Sequence, residues 1–232
     1  MARHKPTDMR DRMVEEQLVE RRIEDVRVLD AMRKVPRHCF VDEMHENLAY
    51  EDMPLPIGEH QTISQPYMVA LMTEALQLKG GERMLEVGTG SGYAAAVLAE
   101  IVDVVYTIER IKPLADRARQ TRASLGYENV HVIAADGTLG WPDAAPYEGI
   151  VVTAGGPRVP SPLKEQLSIG GRLVIPVEHN GGFQELIRVT RVSENEYGQH
   201  SLDYVLFVPL IGEEGWHLGG GRDHRDPALL GT

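Results

Sequence analysis

Three glycines at alternate positions, Gly88, Gly90 and Gly92, follow a short apolar segment and precede residues that favour helix. We expect the apolar segment, 83–87, to form a strand and residues 92–101 to form a helix. Glycine lets a ligand touch backbone that any Cβ would obstruct, and the start of a helix offers free N–H groups and a positive dipole end. The segment predicts the strand–turn–helix unit of an α/β fold, with a nucleotide-like ligand at the turn. A tight structural turn is the alternative.

Strand and helix patterns alternate from residue 83 onward. Strands are predicted at 83–87, 104–108, 130–134, 148–153 and 172–177, and helices at 92–101, 112–125 and 161–168. Such alternation predicts an α/β fold with a doubly wound, mostly parallel sheet and right-handed crossovers. Two further strands, 185–192 and 204–209, have no helix between them and therefore predict an antiparallel hairpin.

Helical patterns also precede the sheet. Residues 8–35 predict two helices, and residues 67–78 predict another. The segment between them, 36–66, contains several prolines and lacks long periodicity, which is typical of a functional loop. We expect this loop to close over a bound cofactor.

Acidic residues occur where three successive strands are predicted to end. Glu86 lies in the first strand, Glu109 follows the second, and Asp136-Gly137 follows the third. An acidic residue about 20 residues beyond the first glycine binds ribose hydroxyls in doubly wound nucleotide folds. Glu86 would repel a pyrophosphate but suits an amino group or a sulfonium, and the glycine spacing differs from the dinucleotide fingerprint. The pattern therefore predicts S-adenosyl-L-methionine as ligand. A solvated helix cap is the alternative for Glu109.

The segment from Gln61 to Tyr67 carries two hydroxyl groups, those of Thr62 and Ser64, before a predicted helix. Ser64 at the N-cap and Pro66 in the first turn are typical of helix initiation. Hydroxyls beside a free helix N-terminus also suit a carboxylate. Helix capping and carboxylate binding are therefore both compatible with this segment.

The composition limits the possible classes of protein. The 232 residues, with a formal net charge of −11, fit one domain, in which residues 8–82 supply helices and the loop and residues 83–218 supply the sheet. We expect that domain to span 1–218, and the tail 219–232 to be disordered. An acidic chain without a basic run opposes nucleic-acid binding.

Several other features are expected to be absent or structural. No apolar segment approaches the ~20 residues that cross a bilayer, so we expect no membrane association. The nine histidines show no metal-ligand spacing, and we predict no metal site. The single cysteine, Cys39, excludes an internal disulfide and fits a cytoplasmic location. Its neighbours predict a buried structural thiol.

Motifs along nearly the whole chain, about residues 10–216, resemble those of the protein-L-isoaspartate O-methyltransferase family. They are residues 62–70 (TISQPYMVA), 85–93 (LEVGTGSGY), 109–111 (ERI), 136–137 (DG), 145–148 (APYE), 150–154 (IVVTA), 170–177 (GGRLVIPV) and 207–210 (FVPL). The glycine turn is shared with many methyltransferases, whereas the first and last of these motifs are much more specific to this family. The resemblance implies the Rossmann-like fold of S-adenosylmethionine-dependent methyltransferases.

The resemblance also implies an activity, which is methyl transfer from S-adenosyl-L-methionine to the free α-carboxylate of L-isoaspartyl residues. The products are S-adenosyl-L-homocysteine and a methyl ester, which breaks down through a succinimide so that aspartate can re-form. Damaged proteins and peptides are the implied substrates. By the family pattern, Ser64 is the active-site residue and Thr62 lies beside it near the cofactor and the substrate. The implied cofactor residues are Glu86, Gly88, Thr89 and Gly90 at the methionine and ribose, Glu109 at the ribose, and Asp136 with Gly137 at the adenine.

Other functions remain open at this point. A methyltransferase could use the same cofactor on a nucleic acid or a small molecule, although the acidic charge opposes nucleic acid. A binding protein without catalysis would keep the glycine turn but would not need the residues around Ser64. An oxidoreductase is disfavoured because Glu86 opposes a pyrophosphate. We expect the chain to act as a monomer.

Overall fold

The computed structural model describes residues 5–179 and 182–217. An irregular, mainly helical layer precedes the sheet. Its elements are α1 (Pro6–Met13), a π-helical turn (Val14–Val19), α2 (Val26–Lys34), two 3₁₀ turns (Arg37–Phe40 and Glu43–Leu48), the two-residue strands β1 (Leu55–Pro56) and β2 (Thr62–Ile63), and α3 (Pro66–Ala75). The two helices predicted in 8–35 and the helix predicted at 67–78 are present. The predicted tail at 219–232 lies outside the described residues.

A seven-stranded sheet forms the centre of the molecule. Its strands are β3 (Arg83–Val87), β4 (Val104–Glu109), β5 (Val130–Ala134), β6 (Tyr147–Val152), β7 (Leu167–His179), β8 (Phe183–Arg191) and β9 (Tyr197–Val205). The connecting helices are α4 (Tyr93–Ala99), α5 (Lys112–Ser124) and α6 (Ser161–Glu165). The strand order is β5-β4-β3-β6-β7-β8-β9. The first five strands of this order are parallel, and β8 and β9 are antiparallel.

This topology confirms the predicted fold class. The chain winds outward from β3 to β5 and then returns to β6 on the other side of β3, so the order reverses between β3 and β6. Ligands of open α/β sheets bind at such a switch point, beyond the carboxyl ends of the strands. The glycine turn follows β3 directly and lies at this position.

The last strand differs from its prediction. We expected a strand at 204–209, but β9 spans Tyr197–Val205 and residues 206–209 lie outside it. β9 is the edge strand, and most of its side chains are exposed, so backbone pairing with β8 forms it without an apolar pattern. The predicted hairpin is present with shifted bounds.

The amino-terminal layer packs on the helix that follows the glycine turn. Met13, Leu18 and Met32 are almost fully buried in one apolar cluster with Tyr93 and Val97 of α4. Burial of side chains of this size contributes about 1.5–3 kcal/mol each. The loop 36–66 is thereby held beside the carboxyl ends of the strands.

Cys39 is exposed, so the prediction of a buried structural thiol is wrong. It lies in the 3₁₀ turn Arg37–Phe40, in which residues three apart point to the same side. Arg37 and Phe40 are the buried pair, and Cys39 between them faces solvent. No helix among residues 5–179 and 182–217 is long and apolar enough to cross a membrane.

Candidate active site

Two adjoining cavities lie at the carboxyl ends of β3 and β6. Both are lined by Thr62, Gly88, Gly90 and Thr153. The first cavity also contacts Ser64, Glu86 and Thr89. The second cavity also contacts Glu109, Gly137 and residues 208–211. The structure therefore places eight of the nine residues implied by the family pattern around one continuous region, and only Asp136 lines neither cavity.

The glycine turn requires its glycines. Gly88, Gly90 and Gly92 have φ values of +98°, +52° and +88°, which L side chains rarely adopt. A Cβ on Gly88 would overlap the hydroxyl oxygen of Thr153. That hydroxyl donates a 2.7 Å hydrogen bond to the Gly88 carbonyl. The turn is thus fixed against the end of β6, with its backbone at the cavity wall.

Glu86 is fully buried below the glycine turn. Its Oε2 accepts a 2.5 Å hydrogen bond from the Thr107 hydroxyl, which lies 2.6 Å from the hydroxyl of Thr89. Its Oε1 has no hydrogen-bond partner among the described residues. Burial raises the pKa of Glu86 to about 8, against a smaller lowering by the Thr107 hydrogen bond. An unpartnered buried carboxylate oxygen at a cavity wall suits a cationic group of a ligand.

Glu109 is buried, with 6% of its surface exposed, so it is not a solvated helix cap. One carboxylate oxygen accepts a 2.9 Å hydrogen bond from the Gly90 N–H, and the other accepts one of 2.9 Å from the Ile111 N–H before α5. Glu109 therefore connects the glycine turn to the start of α5. Because it also lines the second cavity, it is positioned to accept from ligand hydroxyls.

Asp136 and Gly137 are separated by the structure. Gly137 lines the second cavity, whereas the carboxylate of Asp136 accepts from the backbone and hydroxyl of Thr138 and from the Glu213 N–H. Burial acts to raise the pKa of Asp136, but the hydrogen bonds from Glu213 and Thr138 outweigh it and lower the pKa. Asp136 thus shapes the turn at Gly137 and anchors the carboxyl-terminal segment.

The helix start near Ser64 differs from its prediction. The N-cap of α3 is Gln65 and not Ser64, and its side chain makes no capping hydrogen bond. The expected free helix terminus is partly occupied, because the Tyr67 N–H donates to the Asp52 carboxylate at 3.4 Å. Ser64 does not cap the helix; it lines the first cavity, and its hydroxyl makes no hydrogen bond within the described residues.

Sequence reasoning missed residues that line the cavities or hold a lining residue in place. Thr153 follows β6 and lines both cavities, whereas Thr107, near the carboxyl end of β4, lines neither and donates to Glu86. A hydroxyl residue at the carboxyl end of a parallel strand is the signal that could have identified both. Residues 208–211 were assigned partly to a strand, but they form part of the wall of the second cavity. Gly155 fixes this segment by accepting from the Leu210 N–H and donating to the Val208 carbonyl.

Comparison with known proteins identifies the family. The sequence model described as protein-L-isoaspartate(D-aspartate) O-methyltransferase matches residues 8–215. The chain belongs to this family. It is 60% identical over 210 residues to protein-L-isoaspartate O-methyltransferase 2 of Marinobacter nauticus, a match that covers 90% of this chain and 96% of that protein. It is also 60% identical over 207 residues to the enzyme of the same name from Pelobacter propionicus, covering 89% and 92%.

Solved structures of this isoaspartyl methyltransferase family share the fold. One protein-L-isoaspartate O-methyltransferase superposes with a TM-score of 0.81 at 29% identity, covering 89% of this chain and 67% of the other. A Plasmodium falciparum protein assigned to the family, in complex with S-adenosyl-L-homocysteine, gives a TM-score of 0.77 at 27% identity, covering 87% and 98%. The described residues contain no cluster of side chains that could hold a metal ion.

Proposed function

We propose that this chain transfers the methyl group of S-adenosyl-L-methionine to the free α-carboxylate of L-isoaspartyl residues in damaged proteins and peptides. The observation that carries the proposal is the first cavity, whose wall contains Ser64 and Thr62 together with Glu86 and the glycine turn. The hydroxyls suit an acceptor carboxylate, and the carboxylate of Glu86 suits a cationic cofactor. The family of the chain supports the same assignment.

The cofactor side is assigned from its chemistry. S-adenosyl-L-methionine supplies an activated methyl group on a sulfonium. We assign Glu86, Gly88, Thr89 and Gly90 to its methionine and ribose side, where the unpartnered oxygen of Glu86 would accept from an amino group. We assign Glu109 to the ribose hydroxyls of the cofactor, and Asp136 with Gly137 to its adenine. Asp136 would act there through the turn that it holds.

The acceptor side needs positioning more than proton transfer. An α-carboxylate with an ordinary pKa of about 3.5 is already ionised at neutral pH, so no general base is required. Holding the two reacting groups at near-attack distance can supply much of the rate enhancement. We therefore assign the Ser64 hydroxyl as an orienting donor and not a nucleophile, with Thr62 beside it at the substrate.

The proposal extends to the partners and the form of the protein. Its substrates would be isoaspartyl proteins and peptides, with neither nucleic acid nor membrane involved. The net charge of −11 supports the exclusion of nucleic acid. The single cysteine is compatible with a cytoplasmic protein. We further propose that residues 1–218 act as one domain and as a monomer.

The direct test uses two synthetic peptides that differ only in an aspartyl or L-isoaspartyl linkage. Each is incubated with the protein and S-adenosyl-L-methionine carrying a labelled methyl group. Base-labile label on the isoaspartyl peptide alone is the expected result, because only that linkage presents a free α-carboxylate. Cofactor binding without label on either peptide would favour another acceptor or a protein that binds without catalysis.

A further inference from the structure

Arg37 is a fully buried cation beside Ser64, the residue assigned to the methyl acceptor. It begins the 3₁₀ turn Arg37–Phe40 and has 0% of its surface exposed. Among the described residues, no carboxylate lies within ion-pair distance of its guanidinium. Burying an unpaired charge is costly, so a structural role alone would be better served by an apolar side chain.

The contacts of Arg37 connect both halves of the site. Nε donates a 2.7 Å hydrogen bond to the Ala49 carbonyl, and Nη2 donates one of 2.8 Å to the Ser64 carbonyl. The guanidinium lies 4.7 Å from the centre of the Tyr93 ring, and Tyr93 is the first residue of α4 after the glycine turn. Arg37 thus fixes Ser64 against the helix that begins the cofactor site.

The charge of Arg37 remains incompletely compensated. Carbonyl oxygens and an aromatic face attract a cation, but neither carries a formal negative charge. The carboxylate of Asp52 also favours the charged form of Arg37, but it lies beyond ion-pair distance and is paired with Arg21. Nη1 has no hydrogen-bond partner among the described residues. Burial lowers the pKa of Arg37 to about 10, so the group stays charged at neutral pH. A positive charge next to Ser64 is attractive to an anion in the first cavity.

We infer that Arg37 is a positioning residue for the methyl acceptor, which sets the place of Ser64 and makes the first cavity prefer a carboxylate over a neutral group of the same shape. The inference rests on the proposed function. It concerns a residue that lines neither cavity and acts on the substrate through Ser64 and through its charge.

The test separates charge from shape. Binding of an L-isoaspartyl peptide is compared with binding of the same peptide carrying L-isoasparagine, whose α-carboxamide is neutral, both in the presence of S-adenosyl-L-homocysteine. The wild-type protein is expected to prefer the carboxylate by about 10-fold or more, and Arg37→Met to reduce that preference to about 3-fold or less. Arg37→Met should lower kcat/KM by roughly 30-fold, mainly through KM, and Arg37→Lys should retain most of the carboxylate preference.

Arg191 provides a matched control. It also donates only to backbone carbonyls, those of Glu165, Leu167 and Glu194, has an unpartnered Nε and lies near the ring of Tyr197. It stands at the end of β8 farthest from the glycine turn. Arg191→Met is expected to cost stability but to leave the carboxylate preference and KM within about 2-fold of wild type.

The outcomes distinguish the two proposals. A wild-type protein that methylates neither peptide would overturn the proposed function and this inference with it. Methylation by the wild type together with an unchanged preference and KM in Arg37→Met would overturn the inference alone. If Arg37→Met does not fold, the test relies on Arg37→Lys and on the preference of the wild-type protein for the carboxylate peptide. Equal binding of both peptides by the wild-type protein would overturn the inference, because the charge of Arg37 would then have no effect on acceptor binding.

Discussion

The cofactor side and the acceptor side of the site are built by different means. The glycine turn is held by main-chain hydrogen bonds of neighbouring strands, such as Gly88 N–H to the Ile108 carbonyl at 2.9 Å. The acceptor loop, 36–66, has only 3₁₀ turns and two-residue strands, and long side chains such as Arg37 and Arg117 hold it by donating to its carbonyls. Substitutions that distort the backbone of the glycine turn should therefore weaken cofactor binding most. Substitutions of single side chains on the acceptor side should each have a smaller effect on activity.

The largest effect is expected from Gly88→Ala. The added Cβ would meet the Thr153 hydroxyl, and the φ of +98° is strained for alanine by about 1–2 kcal/mol. Because the turn cannot relax without breaking its bonds to β4 and β6, we expect affinity for S-adenosyl-L-homocysteine to fall by about 100-fold or more. Isothermal titration calorimetry measures this loss.

Gly126→Ala is the control for backbone strain alone. Gly126 has a φ of +78°, and its added Cβ would contact nothing within 4 Å. This variant should lose stability and keep wild-type cofactor affinity. If both variants bound S-adenosyl-L-homocysteine equally well, the glycine turn would not be the cofactor contact.

Ser64→Ala is expected to have an intermediate effect on the acceptor side. Loss of a hydrogen bond to a buried group costs about 1–3 kcal/mol, which predicts a roughly 10- to 100-fold decrease in kcat/KM for an isoaspartyl peptide. Cofactor affinity should stay near wild type because Ser64 is assigned to the acceptor and not to the cofactor. Ser168→Ala, far from the site, serves as the control. An unchanged kcat/KM would remove Ser64 from the mechanism.

Glu86→Gln is expected to have a smaller effect that depends on pH. We propose that a cationic group of the cofactor partners the unpaired oxygen of Glu86, so binding should favour the ionised carboxylate. Wild-type affinity for S-adenosyl-L-homocysteine should therefore rise between pH 6.5 and 8, as the pKa of about 8 is approached. The variant should bind roughly 5- to 10-fold more weakly and show no such rise. Glu148→Gln, at an exposed position, should behave like wild type.

The same group affects folding stability in the opposite direction. The pKa of Glu86 is about 8 in the folded protein and near its ordinary value of about 4.5 when unfolded. Between these values the folded state binds more protons, so the free energy of unfolding falls as pH rises through this window. The loss is on the order of a few kcal/mol. The Tm of Glu86→Gln should therefore fall less between pH 5 and 8, and parallel decreases would contradict the buried, protonated carboxyl.

The parallel strands could be predicted because they are buried on both faces and appear in the sequence as apolar runs. β9 could not be predicted in this way, since its residues 197–205 are largely exposed and polar. Glu86 and Glu109 were predicted near the ligand from their place at strand ends. The hydrogen bond between Glu86 and Thr107 depends on the register of β3 with β4, which the local sequence does not specify.

The acceptor loop shows a different limit of sequence reasoning. Ser64 was predicted to cap α3, but Pro66 and Gln65 start the helix and leave its hydroxyl in the cavity. Nothing in the local pattern marks Arg37 as buried, because its burial follows from Tyr93 and from carbonyls 12 and 27 residues away. The periodicity of a sequence does not predict contacts that a long side chain makes across an irregular loop.

The smallest expected effect is protection of the acceptor loop by the cofactor product. The hairpin tip at Gly58, Glu59 and His60 is exposed and has positive φ values, whereas the adjacent Ile57 is buried against the glycine turn. If a ligand at the turn orders this contact, S-adenosyl-L-homocysteine should slow cleavage by a glutamate-specific protease after Glu59 by about 5-fold.

The turn between β8 and β9 supplies an internal control within the same digest. Glu194 is exposed in this turn, which connects strands that do not carry the acceptor loop, so its cleavage should be unaffected by the ligand. Mass spectrometry of the fragments distinguishes the two cleavage sites. Equal rates of cleavage after Glu59 with and without S-adenosyl-L-homocysteine would mean that the ligand does not order the loop. The side-chain hydrogen bonds from Arg37 and Arg117 would then be enough to hold it. The two sides of the site would then be independent in their dynamics as well as in their construction.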